Sequence, residues 1–190
     1  MSELSKLPCE DISVKVLALI GSPRKQSNTD IVASEILEGA LAGGHQTEKV
    51  YLYEQNIAPC VDCQACKKSP FRCAIQDDIQ KLLPKIAEAD ILIFGTPLYW
   101  YGPSAKMKLL VDRFRPFIAS KGLKRKKAVL VIPSEEGADA CNHAVGMFAL
   151  SFEYLGIDLI GKMLPQASKK AEVKAQPKVL KEAFEIGKSL

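Results

Sequence analysis

Apolar and polar positions alternate between two regimes along this chain. Continuous apolar runs occur at Val14–Ile20 (VKVLALI), Ile91–Gly95 (ILIFG) and Ala128–Ile132 (AVLVI). Each is short, rich in aliphatic residues and bounded by turn formers, as strands buried on both faces of a parallel sheet are. Thr47–Tyr53 (TEKVYLY) and Asp158–Leu164 read as weaker strands. Between these runs the apolar residues recur at helical spacing. Thr29–Ala42 places Ile31, Val32, Ile36, Leu37 and Leu41 on one stripe, close to the period of an amphipathic helix. Further helices are predicted over Asp78–Glu88, Ser104–Ser120, Ala138–Leu155 and Lys178–Gly187. Pro84 lies inside the second and should remove one backbone bond and kink it.

Strand and helix thus alternate from end to end. Right-handed crossovers convert that order into an open parallel α/β sheet with helices on both faces. Five strands fit the flavodoxin-like order 2-1-3-4-5. No repeat, low-complexity tract or composition break divides the chain, so residues 1–190 read as a single domain. The longest irregular stretch, Asn56–Gln76, follows the second strand and is rich in cysteine. A loop of that length in a compact domain is usually functional. In this architecture ligands bind at the carboxyl ends of the strands, beside the switch between strands one and three.

Composition narrows the class. At 47% apolar and 25% charged residues the chain is globular rather than disordered. A net charge of +4 is too small to argue for a nucleic-acid partner. Five basic residues fall in Lys121–Lys127, which reads as a solvated lead-in to the fourth strand. No run approaches the ~18 apolar residues of a membrane helix, so no membrane partner is expected. The first twelve residues carry no apolar leader, which points to a cytoplasmic protein with reduced thiols.

Three loops should then converge. Strand one enters Gly21–Asp30 (GSPRKQSNTD), which is neither a dinucleotide fingerprint nor a P-loop. Ser22, Ser27, Asn28 and Thr29 can donate to phosphate oxygens, Arg24 can add a forked charge-assisted bond, and a helix start favours an anion. A plain helix cap needs one such residue rather than four with an arginine. Strand three enters Gly95–Ala105 (GTPLYWYGPSA), where Tyr99, Trp100 and Tyr101 stand between two proline turns. Three rings in one loop need a ligand, a neighbouring loop or a partner chain to pack on. Strand four enters Pro133–Cys141, with Ser134, Glu135, Glu136 and Gly137 as a third wall. Neighbouring glutamates point apart in an extended chain, so they are not a paired acid and base.

These loops resemble the NADPH-dependent FMN reductase family, in particular its iron–sulfur flavoprotein branch. The GSPR and SNT segments are similar to the family's phosphate loop, and GTPLYWYGPSA to its isoalloxazine loop. The DDI segment before strand three and KLLVDR after the aromatic loop match as well. The resemblance implies FMN, with phosphate on Ser22, Arg24, Ser27, Asn28 and Thr29. It places the ring along Pro97, Leu98, Tyr99, Trp100, Tyr101 and Gly102, with Ser134–Gly137 at its edge. It also implies NAD(P)H as electron donor and an oligomer. With Phe114 and Phe117 nearby, more rings are present than one flavin covers, so a homodimer or tetramer is expected.

Cys60, Cys63, Cys66 and Cys73 are spaced C-x2-C-x2-C-x6-C. Two-residue gaps let a chain curl around one centre. The compact triplet favours a [4Fe–4S] cluster over zinc, whose sites more often use two separated pairs. Bare thiols or a disulfide are the third option. Lys67, Lys68 and Arg72 would offset a cluster's charge. Cys9 and Cys141 read as ordinary small residues, and His45 and His143 receive no role. The leading function is therefore an FMN-dependent oxidoreductase taking hydride from NAD(P)H. Electrons would pass to a flavin, a quinone or a redox protein, with the cluster as an open third cofactor. The alternative is an FMN and iron–sulfur electron-transfer protein with little NAD(P)H turnover. A receiver-like module is disfavoured, because strands one and three end in Gly-Ser-Pro and Gly-Thr-Pro rather than acidic residues.

Overall fold

The computed structural model describes residues 13–190, so Cys9 lies outside the described residues. The strands are β1 (Lys15–Ile20), β2 (Gln46–Tyr51), β3 (Ile91–Gly95), the short pair β4 (Leu98–Tyr99) and β5 (Gly102–Pro103), β6 (Lys127–Val131) and β7 (Asp158–Met163). The helices are α1 (Asn28–Ala42), α2 (Ile79–Glu88), α3 (Ala105–Asp112), α4 (Arg115–Ser120), α5 (Asn142–Leu155) and α6 (Pro177–Lys188). The main sheet runs β2-β1-β3-β6-β7 with every pair parallel. Setting aside the β4/β5 hairpin, this is the expected flavodoxin-like order.

The uninterrupted apolar runs have a simple cause. Successive strand residues point to opposite faces, and both faces are covered. Val16, Ala18, Ile20, Ile91, Ile93, Val129 and Val131 pack in a layer with Val32 and Ile36 of α1 and Ala183 of α6. Leu17, Leu19, Leu92, Phe94 and Leu130 pack in the other with residues of α2, α3, α4 and α5. The two helices of the first layer touch backbone to backbone. A Cβ on Gly39 would stand 2.0 Å from the Phe184 carbonyl oxygen, and one on Gly187 1.9 Å from that of Ile36.

The helix expected over Ser104–Ser120 is two helices. Pro116 has no N–H to offer the Asp112 carbonyl, and Arg113 turns inward, 1% exposed, to meet Asp77 at 2.7 Å. The same inward turn buries Phe114 and Phe117, which are 2% and 6% exposed. Both rings belong to the core, packed edge-on against each other, which removes them from any subunit contact. Helix α2 runs through Pro84 without a break. A single 3₁₀ turn, Asp139–Cys141, precedes α5, and Cys141 is fully buried within the core.

Candidate functional site

The first loop leaves β1 at Gly21, whose N–H donates to the Gly95 carbonyl at 2.7 Å. The Ser104 hydroxyl donates to the Gly21 carbonyl at 2.5 Å. A Cβ at Gly21 would meet Ser104 Oγ and Met107 Cβ at 2.9 Å, so only glycine lets the first two loops lie this close. Ser22, Ser27, Asn28, Thr29 and Asp30 are all buried at the mouth of α1. Ser27 occupies the N-cap position but makes no capping bond. Its hydroxyl instead donates to Ser22 Oγ at 2.9 Å. Among the described residues the Asn28, Thr29 and Asp30 N–H groups have no acceptor in the chain. Two hydroxyls and a set of free amides therefore converge at a helix start, an arrangement that can hold a phosphate.

Not every expected donor is free. The Asn28 side chain donates to the Lys169 carbonyl at 2.8 Å and accepts from the Val173 N–H at 3.2 Å. It braces the loop against residues 169–173. Arg24 is exposed at the rim. Asp30, absent from the expected set, accepts from the Gln26 N–H at 2.7 Å, from Lys49 Nζ at 2.9 Å and from the Tyr51 hydroxyl at 3.0 Å. Partial burial would lower the Lys49 pKa, but the Asp30 and Tyr51 bonds more than offset that and raise it.

The second loop folds as the β4/β5 hairpin. Trp100 and Tyr101 occupy its two turn positions, both left-handed, with φ of 50° and 61°. Two-residue hairpin turns use that conformation, ordinarily with Asn and Gly, and non-glycine residues held there store strain. Trp100 is 97% exposed, and Tyr99 and Tyr101 about half so. The fully buried Thr96 anchors the base, its Oγ1 accepting from the Ser104 N–H at 2.9 Å. In the third loop the Ser134 hydroxyl donates to the Gly137 carbonyl at 2.9 Å, Gly137 sits at φ 85°, and Glu135 and Glu136 are exposed. Leu98, Trp100, Tyr101, Ser134, Glu135 and Glu136 line one cleft of about 250 Å³. The second and third loops are thus brought together, with Pro97 at the base of the hairpin and Gly102 opposite Tyr99 beside its turn.

Cys60, Cys63, Cys66 and Cys73 line one small cavity of about 10 Å³, with room for a single water. All four are free thiols, so no disulfide closes the loop. Asp62 and Gln64, one in each two-residue gap, are left-handed, and that is how the chain curls. Burial raises the Cys66 pKa, and Cys73 and Cys60 add to the shift. The expected cations Lys67, Lys68 and Arg72 are exposed. The cation that touches sulfur is Arg113, whose Nη2 donates to Cys73 Sγ at 3.2 Å. Its Nη1 donates to the Ala58 carbonyl and to Asp77, both at 2.7 Å, and its Nε is buried without a partner. The donor set fits a thiolate-bound centre in number and kind. Among the described residues no three His, Cys, Asp or Glu side chains stand close enough to share an ion, so ligation requires the loop to close further.

Comparison with known proteins gives the family and the fold. The family model for NADPH-dependent FMN reductase matches residues 14–162. An iron–sulfur flavoprotein of Methanocaldococcus jannaschii is 38% identical over 126 residues, covering 65% of each chain. One from Methanosarcina thermophila is 35% identical over 100 residues, covering 53% of this chain and 52% of its own. The chain therefore spans roughly half to two thirds of these curated relatives. Among solved structures, an NAD(P)H:quinone oxidoreductase from Methanothermobacter marburgensis superposes with TM-score 0.76 at 20% identity, covering 93% of this chain and 96% of its own. An FMN-dependent NADH-azoreductase from Bacillus anthracis, in complex with FMN, gives 0.70 at 15%, covering 92% and 98%. Those two share the fold. No described helix is long and apolar enough to cross a membrane. The chain belongs to the NADPH-dependent FMN reductase family.

Proposed function

We propose that this chain binds FMN at the carboxyl edge of the sheet and acts as an oxidoreductase, taking hydride from NAD(P)H. The observation that carries the reading is the uncapped start of α1, where Ser22 and Ser27 converge beside free amides at the switch between β1 and β3. Bound FMN supplies the hydride-accepting chemistry, so no protein acid or base is obligatory. The chain's part is to bind and orient. Ser22, Ser27, Thr29 and the helix amides hold the phosphate, with Arg24 closing over it from the rim. Pro97–Gly102 carries the ring, and Ser134–Gly137 bounds its far side. Asn28 acts by bracing the loop rather than by donating to the ligand. The exposed rings of Tyr99, Trp100 and Tyr101 support a homodimer or tetramer, since rings this exposed are covered in a working assembly.

The test is FMN affinity. Arg24→Ala is expected to weaken FMN binding by about 1.5–3 kcal/mol, the range for a charge-assisted bond, as read by flavin fluorescence titration. Unchanged affinity would move the phosphate elsewhere. Stopped-flow reduction by NADPH and NADH then separates a reductase, whose flavin bleaches fast, from an electron carrier, whose flavin does not.

The four free cysteines around one cavity favour a [4Fe–4S] centre that passes electrons singly to a flavin, quinone or redox-protein acceptor. Cys63→Ala is expected to abolish iron and sulfide uptake on anaerobic reconstitution while FMN remains bound. Native protein that takes up no iron would leave FMN as the resident cofactor.

A further inference from the structure

We propose that Asp30 is the positioning residue of the first loop, holding the Gln26 N–H so that Ser22, Ser27 and the start of α1 stay open to a phosphate. The inference rests on the reading that this loop receives the phosphate of FMN, and it names the residue that keeps the loop ready.

Ser27 and Asp30 have the spacing of a capping box. In such a box the acidic side chain takes the N–H of the cap residue, and the cap hydroxyl takes the N–H of the acidic residue. Both halves are altered here. The Asp30 carboxylate reaches one residue further back and accepts from the Gln26 N–H at 2.7 Å. Ser27 makes no capping bond, and its hydroxyl turns to Ser22. The box thus fixes the loop without consuming the amides it would ordinarily satisfy. Gln26 is left-handed at φ 54°, a state that disfavours L residues, and the Asp30 bond holds it there. That turn brings Ser27 back over Ser22.

A carboxylate in this position would repel a phosphate dianion unless its charge were already answered. Asp30 is 4% exposed, and Lys49 Nζ lies 2.9 Å from it. The Tyr51 hydroxyl meets both of its oxygens, at 3.0 and 3.1 Å. Lys49 also donates to Ser34 Oγ at 2.8 Å, which fixes its ammonium between β2 and α1. Lys25, whose ammonium stands over the Tyr51 ring 4.8 Å from its centroid, pairs with Glu54. The edge strand β2 therefore supplies the groups that make the Asp30 clamp compatible with an anion.

The experiment compares FMN with riboflavin, which lacks the phosphate, on native protein and on Asp30→Ala, Asp30→Asn and Lys49→Met. Binding is read by flavin fluorescence. Native protein is expected to prefer FMN strongly; equal affinity for both flavins would defeat the phosphate reading itself, and the inference with it. Given that preference, Asp30→Ala is expected to weaken FMN by at least about tenfold, the loss of a bond to a charged group, while riboflavin changes less than about twofold. Asp30→Asn keeps an oxygen for the Gln26 N–H and should retain most of the preference. Lys49→Met leaves the carboxylate unanswered and should lower FMN affinity alone. Equal losses for both flavins would reduce Asp30 to a packing role, and unchanged FMN affinity in Asp30→Ala and Lys49→Met would likewise overturn the proposal.

Discussion

The Arg113→Met protein is expected to be less stable than the native chain by about 3–5 kcal/mol, the cost of leaving one member of a buried ion pair alone. Arg113 and Asp77 have side chains 1% and 3% exposed and meet at 2.7 and 3.1 Å. Methionine fills much of the space but leaves the Asp77 carboxylate buried without its cation. The Ala58 carbonyl, at the root of the cysteine loop, loses its donor as well. Thermal or urea unfolding measures the loss, roughly 6–20 °C in Tm for a chain of this size. The pH dependence gives a second signature. Burial alone would raise the Asp77 pKa, but bonds from Arg113 and from the Ala58 and Ile79 N–H groups overcome it and lower it. That stabilisation is fully present above the unfolded carboxyl value and is lost as pH falls through the lower, folded value. Without Arg113 its bond and its charge, two of the causes that lower the Asp77 pKa, are lost, so the variant's carboxyl takes up its proton at a higher pH than the native one. The stability gap between the two proteins should therefore narrow below about pH 4. A constant gap down to acid unfolding would show that the ion pair is not its source.

Phe94→Ala should cost a similar amount, about 3–5 kcal/mol, as large-to-small changes of a buried phenylalanine do. Phe94 is fully buried at the hub of an aromatic cluster. Its ring centroid lies 6.2 Å from Phe114, 5.8 Å from Phe148 and 4.9 Å from Phe152. Phe148 and Phe152 lie on α5 and Phe114 stands between α3 and α4, so the Phe94 ring ties both segments to β3. The residue also precedes Gly95, where the first two loops join, so FMN affinity should fall along with the urea midpoint. A midpoint shift under ~1 kcal/mol would mean that the cluster collapses onto the vacancy.

The strands were readable because burial on both faces removes the polar positions that would blur them. The order of the sheet follows from fitting five strands joined by right-handed crossovers to the flavodoxin-like arrangement. What the sequence hid was tertiary. A period of 3.6 runs across Asp112–Pro116 without interruption, and nothing local shows that Arg113 turns inward to Asp77, 36 residues earlier. Phe114 and Phe117 looked available for a partner for the same reason. Asp30 leaves little trace in the local sequence because its partners Lys49 and Tyr51 lie on the next strand. A serine followed three residues later by an acid was the one local sign of it. The glycines at 39 and 187 carry no motif either. Their meaning appears only where two helix backbones meet.

The hairpin tip has a spectroscopic consequence. Trp100 is the only tryptophan in the chain, and it already stands in water when the protein is folded. Its emission should begin at the long-wavelength limit and scarcely move when the core melts. Tryptophan fluorescence is accordingly blind to global unfolding of the lone subunit, which far-ultraviolet circular dichroism will follow instead. Any blue shift or quenching of that signal then reports on one event, the covering of the loop by a flavin, an acceptor or a second subunit.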